Sequence, residues 1–157
     1  MKETLYRTLA LGALAGLRSL SAPALLSHYL SQHKNPDLKG SPLHYLGNSN
    51  VSLALKGLAA SELVGDKMPN IPDRTKLPSL AMRGACGALV GAALYMLDNK
   101  KPWEGAAIGG AAAVASTYAS YYLRQFLDQH TPLTDPAMGL IEDLLTVGSG
   151  MKVANDV

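Results

Sequence analysis

Gly12-Ala13-Leu14-Ala15-Gly16-Leu17-Arg18 places two glycines four residues apart in an apolar run and ends it on a charge. The same G-x-x-x-G spacing returns at Gly87 and Gly91 and at Gly105 and Gly109. In water this is poor helix design, because each interior glycine costs up to about 1 kcal/mol relative to alanine. In a bilayer it is sound. Lipid supplies no hydrophobic drive between helices, so helices gain by close backbone approach, which only small residues permit. The spacing therefore predicts an all-α, multi-pass transmembrane bundle of about five Gly/Ala-rich helices, packed through Gly12, Gly16, Gly87, Gly91, Gly105 and Gly109. A homo-oligomer is compatible with the same small-residue faces.

Composition is consistent with that reading without deciding it. The charged fraction is 17%, below the roughly 25% usual for soluble chains. Mean hydropathy is only +0.08, because the apolar share is largely alanine and glycine. A soluble Ala/Gly-rich helical protein is the minor alternative. A net charge of +2 over 157 residues is too small for a nucleic-acid partner, and the one adjacent basic pair is Lys100-Lys101. The expected partners are the lipid bilayer and a small solute or ion. The length fits one domain, residues 1–157. Cys86 is the sole cysteine and reads as a small buried residue. The four histidines lack metal-ligand spacing, and no nucleophile–base pair or phosphate loop is visible. No enzyme, cofactor or metal is expected.

Outward from the opening stretch, the first span is expected over residues 5–30, kinked at Pro23. Lys2 and Arg7 before an apolar run imitate a secretory signal. Arg18 interrupts that run and no A-x-A site follows, so the segment is expected to persist as a helix. A polar loop over 31–50 follows, with Tyr45 at the interface. Further spans are expected over 51–65, 80–97, 105–126 and 137–151. The Asp135-Pro136 pair opens the last as an acidic N-cap before a first-turn proline. Lys2, Arg7, Lys67, Arg74, Lys76, Arg83 and Arg124 then lie on one side, against Lys34, Lys39, Lys100, Lys101 and Lys152 on the other. The bias is small and favours a cytoplasmic N-terminus in the cell (inner) membrane.

The chain also carries a faint internal echo. Aligning residues 11–22 with 108–119 pairs Gly12 with Gly109, Ala15 with Ala112, Ser19 with Ser116 and Ala22 with Ala119. Each half continues into a short acidic helix. Halves 5–76 and 104–154 around a central span, 80–97, make an inverted repeat, a frequent transporter architecture.

Arg18 is singled out by its cost: a charge at mid-span costs about 2.5–3.5 kcal/mol on insertion scales. It is expected to face the interior and meet a carboxylate from Glu62, Asp66, Glu142 or Asp143. These five form the candidate ion- or substrate-binding set. Glu62 and Asp66 share a helix face at i, i+4. Ser19, Ser21, Thr117 and Ser120 are hydroxyls that line a pathway or bond to their own backbone. The leading function is a channel or transporter for an ion or small polar solute. The alternative is a membrane assembly or lipid-organising subunit whose charges only fix packing.

At Ser61-Glu62-Leu63-Val64-Gly65-Asp66-Lys67-Met68-Pro69 the chain resembles a bacterial integral membrane family known as domain of unknown function 4126. The resemblance extends to the early Gly-rich helix with Arg18 and Pro23, to Arg83-Gly84-Ala85, to a Gly/Ala-rich fourth span ending in Arg124, and to Glu142-Asp143. The E-L-x-x-D-K-x-P string is its specific part. Tyr118, Tyr121 and Tyr122 stand where a His and a Lys are often found, so no role of those basic groups carries over. The resemblance implies a multi-pass membrane protein and no settled activity.

Overall fold

The computed structural model describes residues 2–33, 41–65 and 77–130. These form five α-helices and one short 3₁₀ helix, with no strand among the described residues: α1 (Lys2–Leu17), α2 (Ser21–Gln32), the 3₁₀ helix (Pro42–Gly47), α3 (Ser49–Gly65), α4 (Leu77–Leu97) and α5 (Pro102–His130). The expected span over 137–151 lies outside the described residues, as do Asp66, Glu142 and Asp143.

The expected first span is two helices, not one kinked helix. The chain leaves α1 after Leu17 and re-enters helix at Ser21. Pro23 explains the position. A continuous helix would drive its ring into the carbonyl of Ser19, four residues earlier, and Pro23 has no N–H to donate. Both conflicts vanish when Pro23 sits in the first turn of a new helix. The break therefore falls a turn before the proline. Ser120, the counterpart of Pro23 in the proposed repeat, imposes no such conflict, and α5 runs unbroken. The 3₁₀ helix is a second departure from the expected polar loop. Ser41 Oγ accepts from the Leu43 N–H at 3.2 Å and opens it. Asn48 Oδ1 accepts from the Asn50 N–H at 2.9 Å and caps α3.

α1, α4 and α5 pack together as a three-helix core, with α5 antiparallel to α4 and parallel to α1. All six glycines of the three pairs lie in these contacts. A Cβ on Gly12 would stand 2.7 Å from the Gly109 carbonyl oxygen, and one on Gly87 would stand 2.7 Å from Ala113 Cβ. Leu11, Ala15, Val90, Ala93 and Ala113 fill the remaining space and are fully buried. α2 packs against α3 and the 3₁₀ helix and also on α4 and α1, so that Ala22, Leu26, Leu30 and Leu46 share one buried core with Leu11, Val90 and Ala113. Ser27 Oγ donates to the Leu46 carbonyl at 2.6 Å inside it, beside buried Leu26 and Leu30.

The α4–α5 turn closes with a helix-ending motif. Lys100 N–H bonds back to the Tyr95 carbonyl at 2.8 Å and Asn99 N–H to that of Met96 at 3.1 Å. Asn99 takes the left-handed conformation this needs, φ 54°. The Lys100 ammonium lies 5.7 Å from the Tyr95 ring centroid, pairs with Asp98 at 3.1 Å and donates to Thr4 Oγ1. Thr4 in turn donates to Asp98, tying the start of α1 to the turn. The Thr4 hydrogen bond, ahead of Lys100 and Arg7, holds the Asp98 carboxyl below the ordinary carboxylate range, against partial burial. A folded-state value below the unfolded one stabilises the fold above about pH 4, and that contribution is lost as pH falls through the folded value. Thermal stability in detergent should thus fall between pH 5 and pH 3 more steeply for the native chain than for Asp98→Asn. Parallel curves would remove Asp98 from the acid response.

Candidate functional site

The break between α1 and α2 exposes two sets of backbone groups inside the protein. The last carbonyls of α1 carry the negative end of its dipole, and the first N–H groups of α2 the positive end of its own. The end of α1 is met by a cation from another helix, and the amides of the break that leads into α2 by an anion from a third. Arg83 of α4 donates from Nη1 to the carbonyls of Gly16 at 2.5 Å and Leu17 at 2.9 Å. Glu62 of α3 accepts from the Ser19 N–H on Oε1 and the Leu20 N–H on Oε2, both at 3.0 Å. Leu20, the residue before α2, has no side-chain cap of its own. Glu62, from another helix, instead satisfies the two amides just before α2 begins.

The surroundings are enclosed. Arg83 and Arg18 are each 4% exposed, which no lone surface charge would be. Ser19 and Ser120 are buried and Thr117 fully so. Thr117 Oγ1 reaches the Gly16 carbonyl at 3.0 Å as well as its own Ala113 carbonyl at 2.8 Å. Ser116 Oγ reaches Ala13 O at 2.8 Å and Ala113 O at 3.1 Å. Gly16 permits this approach, since a Cβ there would collide with Ser116 Oγ and the Ala113 carbonyl. Arg83 follows Leu77 by six residues, so the cluster lies about 9 Å inside the start of α4 at 1.5 Å per residue.

Of the five expected binding residues, the structure brings Arg18 and Glu62 to the same three-residue break. Asp66, Glu142 and Asp143 lie outside the described residues. Ser120 bonds to the Thr117 carbonyl of its own helix at 3.2 Å, and Ser21 is half-buried at the start of α2. Arg83 was expected as a flanking charge on the N-terminal side. It is instead a buried member of the site, because α1 ends beside it and presents the Gly16 and Leu17 carbonyls to its guanidinium. Among the described residues no group of three His, Cys, Asp or Glu side chains comes together to hold a metal. The arrangement offers charge-assisted hydrogen bonds on both signs of backbone dipole, which is chemistry for binding and positioning.

Neither a curated protein nor a solved structure matches the chain. Residues 5–153 match a family described as a domain of unknown function, and by that match across nearly its whole length the chain belongs to DUF4126.

Proposed function

We propose that the chain is a multi-pass membrane protein that conducts or transports an ion or small polar solute, without enzymatic activity, and that the α1–α2 break is its polar site. The broken helix carries this reading: within a packed bundle, both sides of the break are held by charges from other helices. Discontinuous helices with paired termini at the middle of the bilayer are the usual way transporters build binding sites. Arg18 and Arg83 serve as fixed positive anchors. Glu62, joined by Glu142, supplies the carboxylates that bind or relay a cation. The expected inverted repeat is not part of this reading, because α5 runs parallel to α1 and inversion would make them antiparallel.

Membrane residence rests on three observations. Leu77–Leu97 is the one described helix long and apolar enough to cross a membrane, with hydropathy 1.5 over its best window. Residues 105–123 of α5 carry no charged side chain, a length of roughly 28 Å against a hydrocarbon core of about 30 Å. Leu53, Leu58, Met82, Tyr122, Leu123 and Phe126 are exposed, a surface that suits lipid. The break itself lowers the apparent span count, because it divides one apolar stretch into helices of 16 and 12 residues.

A packing role is the second reading. Glu62 and Arg83 already occupy the backbone groups that a solute would seek, as glue would. One experiment separates the readings. The protein should stay in the pellet after carbonate extraction, and liposomes containing it should pass a panel of monovalent ions and small polar solutes faster than empty ones. Glu62→Gln should lower that flux at least about tenfold while the protein remains folded, the scale on which a lost charge-assisted hydrogen bond acts. Release into the carbonate supernatant would end the membrane reading. Membrane residence with flux equal to empty liposomes would leave the packing role.

A further inference from the structure

We propose that the headgroup layers of the bilayer grip the bundle at two aromatic girdles, Tyr6 and Trp103 on one side and Tyr121 and Tyr122 on the other. The α1–α2 break then lies just beneath the second layer and takes its water and solute from the side opposite the N-terminus. This rests on the membrane reading above and adds where in the bilayer the site lies and which side opens to it.

Three observations carry it. The first is spacing. Tyr6, Trp103, Tyr121 and Tyr122 are exposed, and Trp and Tyr collect at both membrane–water interfaces. Trp103 and Tyr121 stand on one unbroken helix, α5. They are about 27 Å apart at 1.5 Å per residue, close to a hydrocarbon core of about 30 Å. The second is register. α1 meets α5 in parallel at Gly12 and Gly109, which brings Tyr6 level with Trp103. α4 meets α5 antiparallel, Gly87 with Gly109 and Gly91 with Gly105, which brings Leu77 within a turn of Tyr121. Thr4, Asp98 and Lys100 tie the start of α1 to the α4–α5 turn. Lys2, Arg7, Lys100 and Lys101 therefore share one end of the bundle, and the expected placement of Lys100 and Lys101 across from Lys2 and Arg7 does not hold. The third is charge. Between the girdles, residues 8–17 of α1, 78–97 of α4 and 105–122 of α5 carry a single charged side chain, Arg83, and it is buried. Leu9, Met82 and Leu89 in the same band are exposed, where lipid would cover them.

Two helices give the depth of the break independently. Thr117 bonds to the Gly16 carbonyl at the end of α1. It lies about 6–8 Å along α5 from Tyr121 and Tyr122 but about 21 Å from Trp103. On α4, Arg83 holds the same end of α1, about 9 Å inside Leu77. Packing closes the longer way out. Between the break and Trp103, backbones meet at Gly12 with Gly109, Gly87 with Gly109 and Gly91 with Gly105, where not even a Cβ fits. No solute passes along the core there, so the short side is the open one.

Depth and access are both measurable on the full chain in a Cys86→Ala background. Spin labels are attached after Trp103→Cys, Ala111→Cys or Tyr122→Cys and read by collision with oxygen against a nickel chelate. The label at position 111 should be deepest and the other two shallow. A ratio that changes steadily from 103 to 122, or is level across all three, would overturn the girdles. For access, a charged, membrane-impermeant thiol reagent is added to spheroplasts and to inverted vesicles. Lys2→Cys and Lys101→Cys should react in the same preparation, and reaction in opposite ones would overturn the shared end. Ser19→Cys should react at least about thirtyfold faster in the other preparation, since from the N-terminal side the reagent must carry its charge through the longer apolar band. Reaction on the same side as Lys101→Cys, at equal rates from both sides, or from neither would overturn the access route. Ser120→Cys, buried one turn from Thr117, gives the same reading should Ser19→Cys fail to fold. Release by carbonate ends the membrane reading itself. Protein that stays in the pellet with a level depth profile keeps that reading and loses this one.

Discussion

Gly91→Ala and Gly105→Ala should each be among the most destabilising single methyl groups added to a glycine in these helices, with Gly16→Ala, which meets the Ala113 backbone as closely, beside them. The reason is what the new carbon meets. On Gly91 it falls onto the Gly105 carbonyl, with Gly105 C at 2.8 Å, and on Gly105 onto the Gly91 carbonyl and the Tyr95 ring at 2.7 Å. A flexible side chain could turn aside, but backbone cannot. The α4–α5 pair must separate, and separation also loosens the Gly87–Gly109 contact one turn along. Overpacking typically costs about 1–3 kcal/mol, and rigid opposition belongs at the top of that range or beyond it. Against total stabilities of about 5–15 kcal/mol, the double variant should fail to accumulate as folded protein. Controls lie in the same chain. Gly84→Ala meets only Val114 at 3.6 Å, Gly110→Ala meets the Gly84 carbonyl at 3.4 Å, and Gly57→Ala meets nothing within 4 Å. These should be near neutral, and Gly57→Ala should gain up to about 1 kcal/mol from helix propensity. Thermal denaturation in detergent gives the ranking. If Gly91→Ala melted with Gly57→Ala, backbone contact at that crossing would be refuted.

Legibility in the sequence followed how local each cause is. Helix content depends on local runs, and the helices over 51–65, 80–97 and 105–126 differ from the observed ones mainly at their ends. Glycine spacing reports a demand for close approach but not the neighbour, so the pairing of Gly12 with Gly109, and of both Gly87 and Gly91 with α5, came only from the structure. Pro23 signalled a disturbance, and its steric conflict with the carbonyl four residues earlier could have moved that disturbance to Ser19. Arg83 was less accessible. Its role depends on α1 ending beside α4, which no local pattern encodes. One signal was present: Arg83 is the lone charge in residues 77–97, where an apolar helix must bury it or turn it to lipid.

Arg83→Met should destabilise the protein by about 3 kcal/mol or more, with Glu62→Gln costing less. Arg83 is almost wholly buried and makes two charged hydrogen bonds to the end of α1. Bonds of this kind contribute about 1.5–3 kcal/mol each. Without them the Gly16 carbonyl still has Thr117 at 3.0 Å, but the Leu17 carbonyl loses its bond to Arg83 at the negative end of a helix dipole. Arg83→Lys keeps the charge and loses the planar fork, so it should recover only part of the loss. Glu62 is half-buried, and glutamine retains one acceptor for one of the two N–H groups. Arg18 adds a further buried charge at the break, and Arg18→Ala should also lower abundance sharply. If Glu62 is its electrostatic partner, Arg18→Met combined with Glu62→Gln should recover part of that loss, since an uncompensated buried charge costs about 3–5 kcal/mol. Stability and flux measured on the same variants then separate structure from transport. An Arg83→Lys or Arg18→Met/Glu62→Gln protein that folds but passes no solute places those charges in the transport path. One that folds and retains full flux confines them to holding the broken helix together, and the solute must then cross elsewhere in the bundle.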